Sequence, residues 1–262
     1  MGDAPPAAAT LNEDGASPWV LLCEHASNHI PNAYRGLGLS ARDLERHIAW
    51  DIGAAEVARG LSWRLDAPLV LSGYSRLLID CNRPPGAPTS IPVRSEDTDI
   101  PGNADLDPAE RGRREAAYFA PFQAAVGRLL DRRRTAGRPT AVIGVHSFTP
   151  VFLGVARPWL VGVLYGRAAR LGRAMVERLS ADLGSDSVGD NEPYRIEPQG
   201  HDYTVPVHGD ARGLEAVLLE VRQGLIADDA GAAAWAERTA AVLASIEAAG
   251  PICTPLVRAS GR

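Results

Sequence analysis

Two histidines stand just beyond short apolar runs: His25 follows WVLLC and Glu24, and His146 follows AVIGV. Two further clusters, Asp80-x-Asn82-Arg83 and Glu220-x-Arg222, also close apolar runs. Neutral imidazoles are good zinc ligands, and a carboxylate or amide oxygen can complete a set of three that leaves one position open to water. Water held in that way ionises near neutral pH, and an unligated carboxylate nearby can take up its proton. A guanidinium beside the centre suits a carboxylate ligand because its fork matches two oxygens, and Asn82 can donate to the same group. Spacing leaves the third metal ligand open. Asn28 sits three residues after His25, but an amide oxygen is a poor zinc ligand. Glu24 adjoins His25 yet points away from it if the strand runs on. His29 and Asp51, the latter an acid inside an otherwise apolar stretch, complete the candidates. Ser147 reads as support for His146 rather than as a nucleophile.

Two other chemistries compete. Cys23 or Cys81 paired with His25 or His146 would make a metal-free thiol hydrolase, although small cysteines are more often simply packed in a core. The same polar ends could also form a non-catalytic binding site for an acidic ligand.

The elements that must bring these groups together follow from periodicity. Residues 19–23, 69–71, 76–80, 141–145, 159–164, 203–208 and 215–221 read as strands, most of them short buried runs rich in Val, Ile and Leu. Helical spacing spans residues 40–65, with a capping-box-like start at Ser40 and with Asp51 inside it. A second helix runs over 107–134, with Asp107 as N-cap and Pro108 at its first position. Residues 166–183 and 230–249 are also helical. Residues 84–106, rich in Pro, Gly, Asp and Ser, read as a long ordered loop serving as a lid or a subunit contact, and 189–194 as a turn. This alternation predicts a single three-layer α/β domain with a mostly parallel mixed sheet. In such a sheet, ligands bind outside the carboxyl ends of the strands. The domain is expected over 18–250, between a mobile tail at 1–17 and a second tail at 251–262.

Composition narrows the function classes. The chain of 262 residues carries a net charge of −5, so no basic field draws it to nucleic acid. No apolar run is long enough to span a bilayer. The three cysteines are scattered, without disulfide or zinc-ribbon spacing. A reducing cytoplasmic setting follows as the expectation, and the first residues lack the basic start and apolar core of a signal peptide.

Taken in order, CEHASNHIP, SRLLIDCNRPP, GVHSFTP, RPWLVGVLY, GDNEPY and LLEVRQGLI resemble the N-formylglutamate amidohydrolase family across residues 19–235. The resemblance implies a phosphorylase/hydrolase-like fold and kinship with zinc carboxypeptidases and aspartoacylases. It implies a hydrolase dependent on Zn²⁺ or another divalent transition metal, acting on N-formyl-L-glutamate or a related short N-acyl acidic amino acid. It implies His25 and His146 as metal ligands, Asn82 and Arg83 as the carboxylate-binding pair, and Glu220 as general base. Asn28 stands where those relatives carry a metal-binding glutamate. Arg157, Arg195 or Arg222 is expected to hold a second substrate carboxylate.

Overall fold

The computed structural model describes residues 4–196 and 202–250. A seven-stranded mixed sheet forms its middle layer. Its strands are β1 (Ala8–Leu11), β2 (Trp19–Cys23), β3 (Leu69–Ser72), β6 (Ala141–Phe148), β9 (Val161–Tyr165), β10 (Val188–Asp190) and β11 (Ala216–Arg222). They lie in the order β1-β3-β2-β6-β11-β9-β10. The central four, β3, β2, β6 and β11, run parallel. β1 and β9 are antiparallel to their neighbours β3 and β11. Two small hairpins, β4 (Arg94–Ser95) with β5 (Thr98–Asp99) and β7 (Val151–Phe152) with β8 (Val155–Ala156), stand outside the sheet.

The central strands are apolar without alternation because both faces are covered. Trp19, Leu21, Cys23, Ile143, Val145, Val217 and Leu219 face one layer. That layer is made by α2 (Ala54–Leu65), α5 (Arg170–Leu183) and α6 (Asp229–Ala249). Val20, Leu22, Val142 and Leu218 face Phe122, Val126, Leu129 and Leu130 of α4 (Ala120–Thr135). α4 continues α3 (Pro108–Arg114) through a wider helical turn at Glu115–Phe119. The α/β architecture is the one expected. Among the described residues, no helix is long and apolar enough to cross a membrane.

Several local expectations are corrected. The stretch 76–80 is a series of turns rather than a strand. Its backbone bonds to loops and side chains instead of a ladder: Asn103 donates to Leu77 O at 2.8 Å, and Asp80 N donates to Ser90 O at 2.8 Å. Its apolar Leu77, Leu78 and Ile79 are buried in clusters beneath those loops. Residues 203–208 form a wide helical turn, Thr204–Gly209, rather than a strand. Residues 8–11, expected in a mobile tail, pair with β3. β10 occupies the start of the expected turn at 189–194. The tail expected at 251–262 lies outside the described residues.

The correction that matters most concerns residues 40–65. They form the four-residue α1 (Ala41–Leu44), then irregular chain, then α2. Asp51 therefore lies on a loop, tethered by its N–H to His25 O at 3.0 Å. Gly53 ends the loop at φ +78, and a Cβ there would stand 1.9 Å from Ile226 O. Gly53→Ala combines left-handed strain with a backbone clash, so it is expected to cost about 2–4 kcal/mol. Denaturant melts read the loss.

Candidate active site

β2, β6 and β11 deliver the central groups. His146 and Glu220 are register partners on adjacent parallel strands, with their side chains on the same face of the sheet. β2 ends at Cys23, and the chain turns at Glu24 and His25. That turn breaks the strand alternation, so both Glu24 and His25 reach the centre. Gly144, two residues before His146, keeps the space beside that ring open: a Cβ there would lie 3.3 Å from His146 Nε2 and 2.5 Å from Leu218 Cδ2.

Asp51 is the hub. Its Oδ2 lies 3.2 Å from His25 Nδ1 and 2.8 Å from His146 Nδ1. The opposite ring nitrogens each have a carboxylate of their own. His25 Nε2 is 2.7 Å from Asp80 Oδ1, and His146 Nε2 is 3.1 Å from Glu24 Oε2. The Thr204 hydroxyl donates to the other oxygen of Glu24. Arg76 reaches Asp51 Oδ1 at 3.3 Å and Asp80 Oδ2 at 2.9 Å. All of these carboxyl and imidazole groups are buried.

The electrostatics follow from that crowding. Burial works against the charged form of His146, but Glu24 and Asp51 outweigh it and hold its pKa well above the ordinary value. Burial and Arg76 oppose protonation of His25, and Asp80 and Asp51 overcome them. Burial pushes the Asp51 carboxyl up, yet the two imidazoles pull it well below the ordinary range. Glu220 differs. Burial pushes its pKa up to about 7, and among the described residues its buried Oε2 has no hydrogen-bond partner.

The donor set fits a divalent cation. His25, Asp51 and His146 each offer a ligand atom within 4.8 Å of the others. Both imidazoles turn Nδ1 towards Asp51 and Nε2 towards a second carboxylate, the bracing usual for metal-bound histidine. Four carboxylates, Glu24, Asp51, Asp80 and Glu220, are buried around the two imidazoles, and Arg76 pairs with two of them, Asp51 and Asp80. This surplus of negative charge is what drives the imidazoles to take protons, and a cation would neutralise it equally.

The cavity above this cluster has a volume of about 590 Å³ and takes in Arg83, Tyr194, Arg195, Asp202 and Glu220. Not every expected group reaches it. Asn28 donates its amide to Leu44 O at 3.0 Å and Glu45 Oε1 at 3.3 Å, away from the histidines. Arg157 is caged by Tyr194 and Phe152, 4.6 and 4.7 Å from their ring centres, and donates to Tyr194 Oη at 2.9 Å. It shapes the wall. Arg222 closes over the carbonyls of Trp159, Arg157 and Pro158 and holds that loop. His29 packs against Tyr74, with ring centres 5.4 Å apart. Cys23 and Cys81 are buried with thiol pKa values pushed up by burial, the opposite of an activated thiolate. Sequence patterns do not single out Arg76, Asp202 or Thr204. For Arg76, the four-residue spacing to Asp80 is the one available signal, since it suits an ion pair across one turn better than a strand.

The family model for N-formylglutamate amidohydrolase matches residues 17–227. The structure of gene product Atu2144 from Agrobacterium tumefaciens is 42% identical, with a TM-score of 0.88, covering 93% of this chain and 97% of that one. The N-formylglutamate amidohydrolase from Ralstonia eutropha JMP134 shares the fold at 17% identity and a TM-score of 0.66, covering 94% of this chain and 98% of that one. Among curated proteins, none matches.

Proposed function

The chain belongs to the N-formylglutamate amidohydrolase family, and from that premise we propose that it cleaves N-formyl-L-glutamate, or a related short N-acyl acidic amino acid, in a metal-dependent reaction. The products are formate and glutamate. The observation that carries the mechanism is the buried, unpartnered oxygen of Glu220 beside the His–Asp–His cluster.

His25, Asp51 and His146 would hold Zn²⁺ or a similar cation. When bound, it supplies Lewis acidity to the amide oxygen and acidifies water. Glu220 Oε2 takes the proton of the attacking water and returns it to the amide nitrogen as the C–N bond breaks. With its pKa raised towards neutrality, this carboxylate can serve as base and then as acid. Asp80 and Glu24 fix the orientation of the two imidazoles. Arg83, with Asn82, binds one substrate carboxylate, and Arg195, on the cavity wall, binds the other. Arg76 is committed to Asp51 and Asp80 and keeps those acids ionised.

The test combines metal analysis of the purified protein with a screen of N-formyl and N-acetyl amino acids for amine release. Bound transition metal, loss of turnover on chelation, and preference for acidic substrates are the expected results. Full turnover after complete metal removal would overturn the metal reading. Equal rates on neutral N-formyl amino acids would overturn the carboxylate contacts.

A further inference from the structure

The pair expected to bind a substrate carboxylate already holds one from the chain itself. Asp202 Oδ1 accepts from Asn82 Nδ2 at 3.1 Å and from Arg83 Nη1 at 3.3 Å. The three residues share the wall of the cavity. Asn82 has no spare capacity on its oxygen, which accepts from Tyr203 N at 3.1 Å and Thr204 N at 2.9 Å. Arg83 also donates to Asn82 O at 3.0 Å. An incoming carboxylate therefore finds Asn82 Nδ2 and Arg83 Nη1 already engaged by Asp202.

We propose that Asp202 is an internal competitor for the substrate's carboxylate and sets the selectivity of the site for acidic ligands. This rests on the assignment of Asn82 and Arg83 to substrate binding. The exchange is one carboxylate for another, so Arg83, whose side chain is one-fifth exposed, keeps a counter-charge throughout. A neutral ligand offers no such replacement and has to leave Asp202 in place. Selectivity then arises from an element that rejects the wrong ligand as well as from contacts to the right one. Both contacts to Asp202 are long for charge-assisted hydrogen bonds, as expected of a group that must be released. Burial also raises the pKa of Asp202 despite Arg83, so its ionised form is only partly compensated where it sits.

The test uses Asp202→Asn and Asp202→Ala in the full-length protein, with glutarate as a diacid probe that has no amide to cleave. Calorimetric titration is expected to show glutarate binding about tenfold more tightly in both variants, because the internal carboxylate no longer competes for charge-assisted bonds. KM for N-formyl-L-glutamate should fall in parallel, with a smaller change in kcat. The gain should vanish when Arg83→Ala is added, since removing Arg83 removes the contested donor. Unchanged or weaker glutarate binding in both folded variants overturns the proposal. So does a gain that persists without Arg83. If glutarate binds more tightly but N-formyl-L-glutamate is not turned over, the substrate assignment fails while the role of Asp202 stands.

Discussion

Glu220→Gln is expected to lower kcat by at least about a thousandfold, the scale of a lost general base, while metal content and substrate binding persist. It should also make the metal-free protein more stable at alkaline pH. The sign follows from the raised pKa. Folded Glu220 titrates at about 7, against an ordinary value of 4.5, because burial disfavours its ionised form. Between these values the folded chain holds a proton that the unfolded chain has released. The contribution of this group to stability therefore falls as pH rises from about 4.5 to 7, and it stays low above that. Glutamine has no such titration. The variant should gain on the order of 3 kcal/mol over wild type at pH 8 and under about 1 kcal/mol at pH 5. Denaturant melts of chelated protein at the two pH values measure the gap. A gap independent of pH would remove the buried ionisation, and near-wild-type turnover would remove Glu220 from the mechanism. The pairing of lost activity with gained stability is what a functional, uncompensated buried acid predicts.

The parts of this site that rest on sheet register are legible in the amino-acid pattern itself. His146 and Glu220 sit where apolar parallel strands give way to polar residues, and that rule alone brings them to one crevice. His25 follows similarly from the end of β2. The groups carried on loops are harder to place. Asp51 lies in a stretch with helical spacing, but Gly53 at positive φ and the bond from Asp51 N to His25 O override that spacing. The contact of Gly53 with Ile226 and the bond to His25 come from residues distant in the chain. Arg76 and Asp80 flank an apolar triplet that reads as a strand, yet the triplet is buried under loops instead of in the sheet. Strand alternation misdirects Glu24, because the strand stops one residue before it. Asp202 has no local signal, since its meaning comes from Asn82 and Arg83, far upstream in the chain.

Asp51→Asn should produce the other large effect, weakening metal affinity by at least about a hundredfold and lowering activity accordingly. Four residues compete for the third ligand position, and the geometry separates them, with His29 packed against Tyr74. Asp51 Oδ2 lies between the two Nδ1 atoms, with Ser147 N also aimed at it from 3.3 Å. Glu24 lies on the far side of the His146 ring, at Nε2, where it orients the imidazole and leaves Nδ1 to Asp51. Asn28 is bound to Leu44 and Glu45. A graded series follows under metal titration. Asn28→Ala should bind metal as wild type does. Glu24→Gln should lose about tenfold to a hundredfold in affinity, the usual cost of removing a group that braces a ligand histidine. Asp51→Asn should lose the most, because the amide is a weaker ligand and no longer offsets charge on either imidazole. If Asn28→Ala releases the metal while Asp51→Asn keeps it, the ligand set proposed for this centre is wrong. On the proposed ligand set, Asp51 on the loop before α2 would supply the carboxylate, and Asn28 on the turn after His25 would not be needed for it.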